Sequence, residues 1–236
     1  MFDVEREKTT RHIFYYDSTM LPKHSLAFAQ LSNAAYLPWD QVRYEVLKYG
    51  YNYIQHWDHG ESQAVLVCNE EHYVLVFRGT EFTIGSVRDI LSNLSTLEPW
   101  AGTGQVHTGY ISHFNRIRDI VHNYIAQLPL PVYVAGHSMG GALAVLYAAW
   151  RPFSVISVYT YGTPRIGDRE FISSLDKVPV EAHINSFDFA PHIPLSIRGF
   201  LRAATNTFHL DSGGWIGPVT RHSIRRYIKA IKKGTI

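Results

Sequence analysis

Residues 132–146 read Val132-Tyr133-Val134-Ala135-Gly136-His137-Ser138-Met139-Gly140-Gly141-Ala142-Leu143-Ala144-Val145-Leu146. The first four are uncharged and suited to a strand, and the last six form an apolar run of small residues suited to a helix. A Gly-x-Ser-x-Gly pattern alone arises by chance in roughly one chain in ten of this length at average Gly and Ser usage. Its setting carries the information: strand, tight turn, helix. To lift a serine oxygen clear of a sheet, the backbone must turn sharply and strain the serine's own φ/ψ. Glycines two before and two after remove the Cβ atoms that would collide in that turn. The helix start then aims N–H groups and its positive pole at the spot where an oxyanion would form. Ala142 and Ala144 let the helix sit close to its strands. The competing reading is an ordinary strand-to-helix turn with a serine cap.

Outward from this turn, apolar periodicity supplies the layout. Ser25 to Leu37 reads as a helix stopped by Pro38, and Ala64–Cys68 and Tyr73–Phe77 as strands joined by a turn at Asn69–His72. Tyr110, Phe114, Ile117, Val121, Tyr124 and Leu128 repeat at three and four residues, the spacing of one helix with one buried face. Val155–Tyr161 and Val180–Asn185 read as further strands separated by a helix near Arg169–Leu175, and the last helix spans Arg221 to Lys233. Helices alternating with continuous apolar strands predict an α/β fold with a mostly parallel sheet covered on both faces. No linker-like stretch divides the chain, so residues 1–236 are expected to form one domain.

Composition narrows the partners. Of 236 residues, 22 are Lys or Arg and 20 Asp or Glu, so no global field points to nucleic acid. The single cysteine, Cys68, excludes an intrachain disulfide and multi-cysteine metal sites. No run is long and apolar enough for a transmembrane helix, and the charged Met1–Arg11 segment does not read as a secretory signal. The expected location is the cytoplasm, or outside by a leaderless route.

A serine needs a histidine to take its proton and a carboxylate to orient that histidine. In this architecture the chain order is Ser, acid, His. Of the acids after Ser138, Asp188 alone sits just past the C-terminal end of a predicted strand, the edge where α/β folds bind ligands. Asp168 reads instead as the cap of the helix that follows it. His192 shares a loop with Asp188 and reads as pocket lining. His222, at the start of the last helix, is placed to reach Ser138 across the sheet edge; His209, in a short apolar stretch, is the alternative base.

With these residues in hand, the chain resembles the fungal-type, class 3 triacylglycerol lipases of the α/β-hydrolase superfamily over roughly residues 25–232. Phe77-Arg78-Gly79-Thr80 resembles the family's oxyanion loop, and Asp89 the acid that holds the threonine hydroxyl. Val106-His107-Thr108-Gly109-Tyr110, Tyr161-Gly162-Thr163-Pro164-Arg165-Ile166-Gly167 and Asp188-Phe189-Ala190-Pro191-His192-Ile193-Pro194 are similar to further family motifs. His222, five before Tyr227, matches the final His-x4-Tyr. Phe189 departs from a usual proline, and the segment after Thr80 lacks a tryptophan found in several family lids. The resemblance implies a triad of Ser138, Asp188 and His222. It further implies an oxyanion hole of the Thr80 and Met139 N–H groups with the Thr80 hydroxyl, supported by Asp89 and His137. Such chemistry requires no metal or organic cofactor.

Residues 81–105 carry Phe82, Ile84, Val87, Ile90, Leu91, Leu94, Leu97 and Trp100, with Gly85, Gly102 and Gly104 as hinges. They are expected to form a lid whose apolar face covers the serine in water and turns outward at an oil surface. The bland alternative is a packed surface helix. Phe82, Ile84, Phe189, Ile193 and Leu195 would hold an acyl chain, which favours fatty-acyl esters and transient contact with a lipid interface. From Arg198 onward, eight basic residues face one acid, a pattern suited to anionic lipid or to a solvated helix face. The expected activity is ester hydrolysis, chiefly of triacylglycerols. A phospholipase A1, a feruloyl-type esterase and a non-catalytic lipid binder are the alternatives.

Overall fold

The computed structural model describes residues 21–80, 96–101, 103–130, 132–196, 199–214 and 217–234. The chain opens with helices α1 (Ser25–Ala34) and α2 (Trp39–Leu47), followed by strands β1 (Asn52–His59), β2 (Ser62–Cys68) and β3 (Tyr73–Phe77). A small ribbon, β4 (Leu97–Pro99) and β5 (Gln105–His107), leads into α3 (Thr108–Asn115) and α4 (Arg118–Ile125). Then come β6 (Val132–His137), α5 (Met139–Trp150), β7 (Val155–Tyr161), α6 (Arg169–Ser173), β8 (Val180–Asn185) and β9 (Asn206–Leu210). Helices α7 (Pro218–Arg221) and α8 (Ile224–Lys233) complete the described chain.

Seven strands form one sheet in the order β1-β2-β3-β6-β7-β8-β9, antiparallel up to β3 and parallel from β3 onward. The strands alternate not between core and water but between two cores. Leu66, Leu75, Phe77 and Val134 face α3, α4 and α5, whereas Val65, Val67, Val74, Val76 and Ala135 face α1, α2 and α8. That two-sided burial is why these strands read as unbroken apolar runs. The parallel strands all end at one edge, and β6, near the middle of the order, delivers Ser138 there. Among the described residues no helix is long and apolar enough to cross a membrane.

Three expectations differ from the fold. The helix predicted over Tyr110–Leu128 is two, broken at Arg116–Ile117, where the Ile117 N–H bonds the Phe114 carbonyl. Ile117 is buried, so its apolar side continues across the break. The last helix is likewise two, with His222 and Ser223 between them. The end of the expected lid is a ribbon pinned to the core. Trp100 is buried against Phe114 and Phe171, with ring centres 5.8 and 5.7 Å away. Gly104 is not an open hinge, because a Cβ there would lie 2.2 Å from the Phe171 nitrogen. Residues 81–95 and Gly102 lie outside the described residues.

Candidate active site

β6 ends at His137 and α5 begins at Met139, so the reversal falls on Ser138, at φ 59° and ψ −130°. Such a backbone strains a non-glycine residue by about 1–3 kcal/mol. The Ser138 N–H donates to the Tyr161 carbonyl at 2.9 Å, and the Ser138 carbonyl accepts from Gly141 N at 3.0 Å. The flanking glycines are sterically required: a Cβ on Gly136 would lie 2.3 Å from the Gly140 backbone, and one on Gly140 2.2 Å from the Phe77 oxygen. Ser138 is 2% exposed, and Gly79, just past β3, packs close to it. Even a methyl group at Gly79 would come within 3.3 Å of the Ser138 Cβ.

Asp188 follows β8 by three residues and is buried, as is His222. The His222 Nδ1 lies 3.0 and 2.9 Å from the two Asp188 oxygens. Tyr227 donates its hydroxyl to Asp188 Oδ2 at 2.5 Å, and the Ala190 N–H donates to Oδ1 at 2.9 Å. A carboxylate accepts only, so the His222 proton sits on Nδ1 and Nε2 carries the basic lone pair. Both groups pack on Gly162, at φ +60°, where a Cβ would lie 2.8 Å from Asp188 Oδ2 and 3.1 Å from His222 Cε1. Gly162 is bonded to Tyr161, whose carbonyl holds the Ser138 N–H. One peptide unit thus joins the serine turn to the acid–imidazole pair.

A second tie joins them. The His137 Nε2 lies 2.6 Å from the His222 carbonyl oxygen, and its Nδ1 lies 2.8 Å from the Tyr36 hydroxyl. The carbonyl can only accept, so Nε2–H donates and Nδ1 accepts from Tyr36. Burial, reinforced by His222, holds the His137 pKa well below the ordinary imidazole range, and the ring stays neutral. Burial also raises the Tyr227 phenol well above its ordinary value, with Asp188 adding to it, so the tyrosine keeps its donor proton. Tyr36, just past α1, escaped the sequence reading: nothing local marks a residue whose partner lies 101 positions away. His137, by contrast, stands within the turn motif itself.

Beside His222 opens a cleft of about 340 Å³, lined by Asn33, Tyr36, Thr80, His137, Val219 and residues 222–225. The Thr80 hydroxyl donates to the Met139 sulfur at 3.5 Å, so the end of β3 meets the start of α5. His209 points outward from β9 and His192 is exposed, so neither approaches this pair as a base. The Phe189 ring packs 5.6 Å from that of His222. Ile193 is half-buried, Leu195 is 57% exposed, and neither lines the cleft. Arg165 holds their loop by donating to the His192 and Pro194 carbonyls at 2.7 and 2.9 Å. Phe82, Ile84 and Asp89 lie outside the described residues.

A family model for Lipase (class 3) matches residues 74–197. The chain is 30% identical over 148 residues to a lipase of Rhizopus niveus, a match that covers 57% of this chain and 38% of that protein. It is also 30% identical over 162 residues to the chloroplastic phospholipase A(1) DAD1 of Arabidopsis thaliana, covering 57% and 36% of the two chains. It therefore spans about two fifths of the length of the curated relatives it matches. In three dimensions it is similar to the lipase from Rhizopus microsporus var. chinensis, with a TM-score of 0.66 at 22% identity over 82% of this chain and 75% of the other. The mostly parallel sheet with its serine turn is the α/β-hydrolase fold, and the chain belongs to the class 3 lipase family.

Proposed function

We propose that the chain is a serine ester hydrolase that cleaves fatty-acyl esters, triacylglycerols among them, through an acyl-enzyme. The observation that carries this reading is the buried Asp188–His222 pair, seated on the glycine next to the residue that holds the Ser138 N–H. Ser138 attacks the ester carbonyl as His222 Nε2 takes its proton. Asp188 stabilises the imidazolium and fixes its tautomer, and His222 then protonates the departing alcohol. Water repeats the sequence on the acyl group. The oxyanion is held by the N–H groups of Met139 and Thr80, with the Thr80 hydroxyl beside them. Loss of one such donor typically costs about 3 kcal/mol in the transition state. Asp89 is assigned to support of Thr80, and His137 to holding the His222 backbone. Residues 81–95, with Phe82 and Ile84, are assigned to a cover over the site, and Phe189 to the acyl-chain wall. The lipase and phospholipase names of the relatives support a lipid ester as substrate.

A fluorophosphonate probe tests the reading. The wild-type chain should be labelled at Ser138, and Ser138→Ala should not. Hydrolysis of nitrophenyl esters of increasing chain length, emulsified triolein and phosphatidylcholine then ranks substrates. If a folded chain neither labels nor cleaves any of them, the hydrolase reading falls.

A further inference from the structure

Tyr36 stands where α1, the end of β3 and the serine turn meet. Helix α1 that carries it is seated on the sheet: the Tyr161 hydroxyl donates to the Ser25 carbonyl at 2.7 Å, and the Phe28 ring packs 4.8 Å from that of Tyr159. The Tyr36 ring lies under the Arg78 guanidinium, 5.6 Å from it. Its hydroxyl lies against the backbone just past β3, where a Cβ on Gly79 would come 2.3 Å from the Tyr36 oxygen. The next residue, Thr80, is the one assigned to the oxyanion hole. The same hydroxyl lies 2.8 Å from His137 Nδ1, and His137 Nε2 lies 2.6 Å from the His222 carbonyl oxygen.

A neutral imidazole has one N–H and one bare nitrogen, and its surroundings choose which is which. At His137 the His222 carbonyl demands a donor at Nε2, which leaves the Nδ1 lone pair to be met by the Tyr36 proton. Without that hydroxyl the ring has two poor options. The Nε2–H form leaves Nδ1 without its donor, and the Nδ1–H form aims a lone pair at the His222 carbonyl. Burial, with His222 adding to it, keeps His137 neutral, so a doubly protonated ring is no third option. The His137 ring also packs 4.6 Å, centre to centre, from that of His222, so a shift of one displaces the other.

We propose that Tyr36 is a positioning residue of this hydrolase: its hydroxyl fixes the His137 tautomer, and through it the place of His222 opposite Thr80. This rests on the hydrolase reading above and deepens it. Tyr36 takes no part in bond making; the Ser138 proton still passes to His222 Nε2 and on to the departing alcohol. Because Tyr36 is also held against the Gly79 backbone, one side chain just past α1 sets the register between the base and the strand end that leads to Thr80.

The test pairs kinetics with histidine spectroscopy on Tyr36→Phe. With nitrophenyl butyrate, kcat should fall about tenfold, the scale of one buried hydrogen bond left unpaired, while KM stays within about twofold. In nitrogen-15 spectra of the histidine-labelled protein, the His137 signals are assigned by their loss in His137→Gln. Wild type should show the Nε2–H tautomer alone, and Tyr36→Phe a mixture or the Nδ1–H form. Tyr49→Phe, which removes a hydroxyl bonded to Glu45 of α2, should leave kcat and the His137 signals unchanged. A wild-type His137 in the Nδ1–H form overturns the proposal at its first step, whether or not the variant folds. An unchanged kcat in Tyr36→Phe overturns it, as does a rise in KM at constant kcat, which marks Tyr36 as a wall of the substrate cleft. A fall in kcat with the His137 tautomer unchanged overturns it as well, since the hydroxyl would then act by another route. In each case continued ester cleavage by wild type leaves the hydrolase reading standing. If wild type neither cleaves the ester nor takes a fluorophosphonate label, that reading fails and takes the proposal with it.

Discussion

Gly162 offers the sharpest test of the site's geometry, because Gly60 supplies a matched control. Both are glycines at positive φ, +60° and +66°, but a Cβ on Gly60 would meet nothing within 4 Å. At Gly162 it would lie 2.8 Å from Asp188 Oδ2, 2.9 Å from the Tyr227 hydroxyl and 3.1 Å from His222 Cε1. Alanine in a left-handed conformation costs about 1–2 kcal/mol, offset by about 0.4–1 kcal/mol from the lower entropy of its unfolded chain. Gly60→Ala should therefore lose about 1 kcal/mol, or roughly 2–4 °C in a chain of this size, with ester hydrolysis unchanged. Gly162→Ala carries the same backbone cost and must also push the carboxylate and imidazole outward by several tenths of an ångström. Misplacement on that scale of a positioned acid–base pair lowers rate by up to about 100-fold. Thermal melts and nitrophenyl ester hydrolysis on the two variants give both quantities. If Gly162→Ala melts with Gly60→Ala and stays within about threefold of wild-type activity, the acid–imidazole pair is not seated as described.

Three further outcomes are expected. Ser138→Gly and Ser138→Ala should both be inactive, but the glycine variant should melt at least as high, because φ 59° strains only the alanine; a lower melting point would show that the turn stores no strain. Tyr227→Phe removes a buried donor from Asp188 and should cost about 1.5–3 kcal/mol in urea unfolding, with a matching fall in kcat; unchanged stability would mean that the hydroxyl contributes nothing. His183, buried between the Thr160 carbonyl and the Ser25 hydroxyl, has its pKa pushed down to about 4 by burial. The unfolded chain therefore takes up a proton that the folded chain refuses: the stability is fully present above about 6.5 and is lost as pH falls toward 4, a change of about 3 kcal/mol. His183→Gln should be less stable at neutral pH and flatten that decline, and parallel pH curves for variant and wild type would refute the assignment.

The centre of the fold was legible because its strands are covered on both faces, so Val132–Ala135 and Tyr73–Phe77 could read as nothing but buried runs. β1 was not. Its residues include Asn52, Gln55, His56, Asp58 and His59, and an edge strand half in water with a bulge between Tyr53 and Gln55 shows no clean alternation. At the site, the expected pairing of Asp188 with His222 followed from chain order and strand ends, and the two side chains do meet. The Tyr36–His137 tie was not legible, since it depends on where the end of α1 docks. Ile193 and Leu195 were read from hydropathy alone, which cannot say that Arg165 anchors their loop through the His192 and Pro194 carbonyls.

The contacts around His222 are long-range in sequence: 34 residues to Asp188 and 85 to His137, with 39 between Tyr227 and Asp188. They hang on two short helices laid over one face of the sheet, whereas the ellipticity of the molecule comes from all its helices and strands together. Segments of that kind open locally at lower free energy than the interior. Under gentle denaturant, turnover should therefore vanish while the circular dichroism spectrum is still native, and hydrogen exchange at the amides of residues 222–227 should quicken in step with the loss.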